Sequence, residues 1–248
     1  FLALGSPSTT SDVSDDPLTI NEALQSPDHV EWKTAMEKEL ESLDANKSWT
    51  LVPLPIGRSP ISCKWVLKRK LNHDGTVARY KARLVARGFS QVEGLDYSET
   101  FSPVLRMASF RLLMALATIL DLEVHHLDVQ TAFLHGDLPE EIYMSQPPGF
   151  ESHSQPNYVC RLHRSLYGLK QSPRLWFQKF NNFMLSHGYS RLLSEPNIYI
   201  THNHTSKRLL VVVLYVDDIP IVGTSSEITR AKQELSKLFS DYSTKCLG

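Results

Sequence analysis

The sequence holds 248 residues, enough for one large domain or two small ones, and at 42% hydrophobic and 21% charged it falls in the ordinary globular range. No apolar run approaches the roughly 20 residues that span a bilayer, and the first residues lack the basic flank of a signal peptide, so no membrane role is expected. The formal net charge of −1 conceals a strong segregation. Arg58, Lys64, Lys68, Arg69, Lys70, Arg79, Lys81, Arg83 and Arg87 stand within thirty residues against a single acid, Asp74, while Asp12 to Asp44 carries ten acids against Lys33 and Lys38. A phosphate backbone responds to the local field, so the overall charge does not exclude a nucleic-acid partner.

Residues 1–17 are rich in Ser, Thr and Asp and are expected to form a disordered lead-in or linker. Residues 18–47 form a helical segment, with Ala23, Leu24, Trp32, Ala35, Met36, Leu40 and Leu43 recurring at helical spacing. Ser26-Pro27-Asp28 splits it into a short turn and a longer helix that Asp28 is placed to cap. Residues 48–248 are expected to form the main domain. Strand-type residues fill 48–52, 64–71 and 76–86, and Asn72-His73-Asp74-Gly75 reads as a hairpin turn. A helix is predicted over 109–120, a strand over 124–128 running into a helical 129–134, and another strand over 140–144. Further on, the pattern predicts an amphipathic helix over 174–187, strands over 198–200, 209–215 and 219–222, and a last helix over 226–239 capped by Ser226 and Glu227. This mixture with antiparallel signals indicates an α+β fold.

Cys63, Cys160 and Cys246 are odd in number and far apart, which suits a reducing compartment and opposes a disulfide framework or a zinc site. His125-His126 and the alternating His202 and His204 also lack partners at zinc-ligand spacing.

The most informative string is LLVVVLYVDDIPIV, from Leu209 to Val222, where an apolar strand runs into Asp217-Asp218 and returns as an apolar strand. Adjacent acids at the tip of a hydrophobic hairpin fit either a solvent-exposed turn or a pair of oxygen ligands for a cation. Asp128, where a short strand meets a helical turn, supplies a second carboxylate suited to the same cation. Two metals bridged by such carboxylates can activate a primer 3′-hydroxyl and steady a leaving pyrophosphate. Phe133, five residues on, reads either as a core aromatic or as a surface beneath a nucleotide sugar. Lys64, Lys81 and Arg83, on the basic segment, fit triphosphate and template-phosphate contact or a solvated strand face.

YVDD at Tyr215–Asp218 and LDVQTAF upstream occur with WKTAMEKELESL, KSWTLVPLP, CKWVLKRK, RYKARLVARGFSQ, DYSETFSPVLR, GDLPEEIYMSQPPGF and RLHRSLYGLKQSPRLWF. Taken in chain order, over roughly residues 30–248, the set resembles the reverse transcriptase of copia-type LTR retrotransposons (Pseudoviridae), a fragment of a Pol polyprotein. YVDD alone is a weak signal; the ordered set is specific.

The resemblance implies the fingers and palm of a right-hand polymerase, an antiparallel palm sheet backed by helices, with fingers built on the basic hairpin and the thumb missing. It implies an RNA-directed DNA polymerase in which Asp128, Asp217 and Asp218 bind two Mg²⁺ ions, with Mn²⁺ as a substitute, and Val129 offers its carbonyl. Phe133 takes the place of an aromatic gate against the nucleotide 2′-hydroxyl. Tyr167 and Gly168 border the nucleotide pocket, although that loop also reads as an ordinary helix entry before Pro173. Arg87, Lys170 and Tyr215 fall where template and primer pass. Lys245 matches a lysine that protonates pyrophosphate, or is a plain surface lysine. The implied partners are an RNA or DNA template with its primer, dNTPs, and the RNase H and integrase parts of Pol, which this chain lacks. The implied location is a cytoplasmic virus-like particle, with access to the nucleus open to the element.

Pro220, two residues after Asp218, departs from the family's aliphatic residue and is expected to displace the returning strand and tilt the carboxylates. Cys246 replaces a common acid. These departures and the early stop leave a rival reading, an inactive remnant that retains at most nucleic-acid binding through the Arg58–Arg87 face. A different two-metal palm enzyme, such as a nucleotide cyclase, is opposed by the basic hairpin and by SLYGLKQSPRLW, since a cyclase holds no template.

Overall fold

Helices and antiparallel strands alternate along the chain. The computed structural model describes residues 16–129, 131–203, 208–238 and 242–247, with residues 202, 203, 208 and 242–247 described as backbone. The first half contains α1 (Ile20–Gln25), α2 (His29–Ala45), β1 (Trp49–Val52), β2 (Cys63–Leu71), β3 (Val77–Ala86), α3 (Met107–Ile119) and β4 (Glu123–Val129). The second contains β5 (Tyr143–Met144), β6 (Val159–Leu162), α4 (Ser172–Ser186), β7 (Ser190–Arg191), β8 (Ile198–Asn203), β9 (Arg208–Val213), β10 (Asp218–Gly223), α5 (Ser225–Leu235) and β11 (Tyr242–Leu247). Among the described residues no helix is long and apolar enough to cross a membrane. The chain divides into two compact units.

The first unit joins residues 16–100 to Asp137–Ser172. β2 and β3 pair antiparallel around the turn read from the sequence, with Trp65 opposite Leu84 and Leu67 opposite Ala82. Alternation sends Cys63, Trp65, Leu67, Ala82, Leu84 and Ala86 to the buried face. α2 lies against β3 and buries Trp32, Met36 and Leu43. Trp32 meets Tyr80 edge-on at 4.8 Å, and the Arg69 guanidinium lies over both rings. Asp28 does stand at the start of α2, but its side chain makes no capping bond. Its carboxylate instead takes a 2.8 Å hydrogen bond from Arg69. A separate sheet, in the order β1-β6-β5, completes the unit. Cys63 and Cys160 are free and buried, and burial pushes their thiols up to about 11 and about 12, so both stay protonated at neutral pH.

The second unit joins Phe101–Gly136 to Pro173–Gly248 and is built on a six-stranded sheet in the order β11-β4-β10-β9-β8-β7. One face packs on α3 through Leu105, Leu113, Ala117, Ile198, Val211, Val213 and Val222. The other face meets α4, where Phe180 stands 5.5 Å from Tyr199, and α5. With both faces covered, β9 and β10 read as nearly continuous apolar runs rather than as alternation. Each large side chain so buried contributes about 1.5–3 kcal/mol. The helical turn expected over 129–134 is a short 3₁₀ turn, Ala132–His135, because β4 continues through Val129. α5 begins one residue earlier than expected, with Thr224 rather than Ser226 at its N-cap.

Candidate active site

The apolar strands β9 and β10 are joined by a tight hairpin. Tyr215 and Asp218 exchange both backbone hydrogen bonds, at 2.8 and 2.9 Å, leaving Val216 and Asp217 as a two-residue loop. Val216 has φ of 59°, the left-handed sign that such loops require at their first position and that glycine usually supplies. A β-branched residue there costs on the order of 1–2 kcal/mol. Trp176, on α4, donates its indole Nε1 hydrogen to the Val216 carbonyl.

The neighbouring strand brings in Asp128. β4 pairs with β10 so that Asp128 lies directly opposite Asp218, and Val129 N–H donates to the Asp217 carbonyl at 2.9 Å. That bond makes Val129 and Asp217 a hydrogen-bonded pair, so the next pair, Asp128 and Asp218, is a non-hydrogen-bonded one, where facing side chains stand closest. Like charges opposed at such a position destabilise the ladder unless a positive charge lies between them. His126 Nε2 reaches Asp218 Oδ1 at 3.2 Å. Asp128 and Asp218 are thus cross-strand neighbours with Asp217 next to them in sequence, and all three offer oxygen donors of the hard type that Mg²⁺ and Mn²⁺ prefer. Among the described residues no three His, Cys, Asp or Glu side chains are grouped closely enough to hold a metal ion.

Pro220 does not disturb this arrangement. The β4–β10 register runs unbroken from Asp218 to Gly223, with Pro220 opposite His126. Pro220 occupies a non-hydrogen-bonded position toward β4, so the donor it lacks points to β9. There the regular pairing covers only Ile221 and Val222 and returns at the Tyr215–Asp218 bridge. Proline is tolerated inside the sheet because the gap in the ladder falls on the side away from the carboxylates.

Phe133 is 9% exposed and sits between buried Ala132 and Leu134 on the 3₁₀ turn, in the same unit as the carboxylates. The Lys245 backbone pairs with His126 on β4; its side chain lies outside the described residues.

The remaining residues singled out from sequence lie in the first unit, except Tyr215, which packs beside the core under α3. Alternation along β2 and β3 places Lys64, Lys68, Lys70, Arg79, Lys81 and Arg83 all on the face turned away from the buried one. Lys68 directly opposes Lys81, and Lys70 directly opposes Arg79. Such a one-sided cationic surface fits a phosphate backbone. The Arg83 guanidinium stacks 4.5 Å over the Tyr167 ring. Gly168 has φ of 92°, and a Cβ there would stand 2.0 Å from the Ala86 carbonyl oxygen. Its close approach is therefore to β3 of its own chain. Arg87, just past β3, is exposed.

Lys170 is less available than its sequence position implies. Its ammonium bonds to the Gln91 carbonyl at 3.3 Å and the Tyr97 hydroxyl at 3.2 Å, and lies 4.6 Å over the Tyr97 ring. Sequence reasoning missed the buried pair behind it. Gln91 Nε2 donates to Gln171 Oε1 at 3.0 Å, while Gln91 Oε1 accepts from Lys170 N–H at 2.8 Å. Together they fix the loop that carries Tyr167. It also missed Trp176 and buried Asn197, whose amide donates to the Leu214 carbonyl just before the turn. Only a polar residue within an apolar pattern could have flagged Asn197.

The chain belongs to the reverse transcriptase family: the family model for reverse transcriptase (RNA-dependent DNA polymerase) matches residues 46–246. It is 48% identical over 230 residues to the retrovirus-related Pol polyprotein from transposon TNT 1-94 of Nicotiana tabacum, covering 92% of this chain and 17% of that protein. It is 40% identical over 224 residues to the Pol polyprotein from transposon RE1 of Arabidopsis thaliana, covering 90% of this chain and 15% of that protein. The Ty1-BL Gag-Pol polyprotein of Saccharomyces cerevisiae matches at 26% identity over 94% of this chain and 13% of its own length. The chain thus spans a small part of each relative, and the copia-type resemblance read from its motifs holds across nearly all of it.

Proposed function

We propose that this chain is the fingers and palm of an RNA-directed DNA polymerase that transfers a nucleotidyl group from a dNTP to a primer 3′-hydroxyl. The observation that carries this reading is the register of β4 on β10, which sets Asp128 against Asp218 beside Asp217. These carboxylates, with the Val129 carbonyl, would hold two Mg²⁺ ions, or Mn²⁺ in their place. Such ions, when bound, lower the charge barrier between primer hydroxyl and phosphate. The second unit is the palm, where Phe133 stands against the nucleotide sugar and Lys245 delivers a proton to pyrophosphate. The first unit is the fingers. Its outward cations, with Lys64, Lys81 and Arg83 foremost, hold triphosphate and template phosphates, Arg87 extends that contact, and Tyr167 borders the nucleotide. Template, primer and dNTP are the partners, and the rest of a Pol polyprotein would act on the product.

Primer extension on an RNA template with Mg²⁺ tests this reading. The chain is expected to incorporate dNTPs, and Asp217→Asn to lose incorporation by on the order of a thousandfold. Equal incorporation by both would sink the carboxylate assignment.

A further inference from the structure

Trp176 is 1% exposed and stands at a junction within the second unit. Its ring lies 6.0 Å from that of His135, which ends the 3₁₀ turn following Asp128, and 5.8 Å from that of Phe180 on the same helix. Its indole N–H reaches across to the Val216 carbonyl. One buried side chain thus meets the turn that carries Asp217 and Asp218 and the 3₁₀ turn that follows the strand of Asp128.

The hydrogen bond falls on the peptide that matters most for their direction. The Val216 carbonyl belongs to the peptide joining Val216 to Asp217. Valine resists the left-handed φ that Val216 adopts. Returning it to negative φ would turn that peptide and rotate the Asp217 side chain with it. A donor that holds the carbonyl opposes the rotation. A ring without an N–H, such as phenylalanine, would fill most of the same space and leave the carbonyl unheld.

We propose that Trp176 is a positioning residue for the carboxylate turn: its indole N–H locks the Val216–Asp217 peptide in the strained conformation and so aims Asp217 and Asp218 toward Asp128. This rests on reading the three aspartates as divalent-cation ligands. A merely space-filling tryptophan would affect stability alone, whereas a positioning one also sets cation affinity.

The test uses the full chain with Mn²⁺ alone as probe, free ion being counted by electron paramagnetic resonance. Asp217→Asn is expected to weaken binding at least about tenfold, and Trp176→Phe by about tenfold with an unchanged circular dichroism spectrum. Glycine adopts positive φ freely, so Trp176→Phe combined with Val216→Gly should bind within about twofold of Val216→Gly alone. If Asp217→Asn loses binding while Trp176→Phe binds like the unaltered chain, or the double variant stays as weak as Trp176→Phe, the positioning role is overturned and the carboxylate reading stands. Unchanged binding by Asp217→Asn overturns both. Should Trp176→Phe fail to fold, the unaltered chain still decides. The Trp176 indole N–H should exchange slowly with solvent and shift its nitrogen-15 resonance on adding Mg²⁺; fast exchange with no shift overturns the proposal.

Discussion

Two antiparallel ladders in this chain place like charges face to face, and they tolerate it differently. On β4 and β10 the opposed residues are Asp128 and Asp218, short side chains at the end of a covered sheet. On β2 and β3 they are Lys68 with Lys81 and Lys70 with Arg79, long side chains on an outward face. Lysine and arginine can splay their charges into water, so the cationic ladder relieves its own repulsion. Aspartates on a fixed ladder cannot move apart as far. On the function proposed above, the anionic pair would offer a preset shape to a compact cation, while the cationic face stays adaptable and would suit an extended polyanion.

Replacing one aspartate should break this contrast most sharply. Asp128→Asn is expected to lower incorporation by on the order of a thousandfold while raising Tm in EDTA by about 1–2 °C, since a repulsion disappears. A fall in Tm under EDTA would show that the opposition carries no strain. Gly168→Ala tests the frame beside the cationic ladder. With φ of 92° and the Ala86 carbonyl in the way, it should cost roughly 2–3 kcal/mol, about 5–10 °C in Tm by calorimetry. Lys68→Gln should weaken template binding about threefold and flatten the dependence of log K on log salt by roughly 0.7–0.9, as filter binding at several salt concentrations would reveal. An unchanged slope would remove the outward face from the template path.

The smallest effect concerns the latch between α2 and the cationic ladder. The Arg69 hydrogen bond holds the Asp28 carboxyl below the usual carboxylate range, with a further contribution from Tyr80. A lowered folded value means the stabilisation is complete above the ordinary value of 3.8 and fades as pH falls through the lowered one. Asp28→Asn should therefore be slightly less stable than the unaltered chain at neutral pH, and the gap should close in acid. Urea melts across pH 2–7 would show whether it does.

The sequence announced the basic hairpin, the YVDD turn and most helices, because each is written in local periodicity, turn residues or an ordered motif. It did not announce β6, β7 or β11, which are short or owe their state to distant partners. Asp28 was legible as a cap position, yet Arg69, forty-one residues away, holds its carboxylate. Lys170 has the charge of a phosphate ligand, but its use depends on Gln91 and Tyr97, which only the fold brings to it. Pro220 illustrates the limit best. Sequence shows that a donor is missing, whereas only the register shows which neighbour goes without it.

That last point bears on how the hairpin can move. The turn is bonded to β4 through Val129 and to the end of β9 through both Tyr215–Asp218 bonds, while the ladder to β9 is interrupted only opposite Pro220. Any give in the hairpin is therefore confined to a gap held on both sides, and Asp217 and Asp218 keep their register on β4.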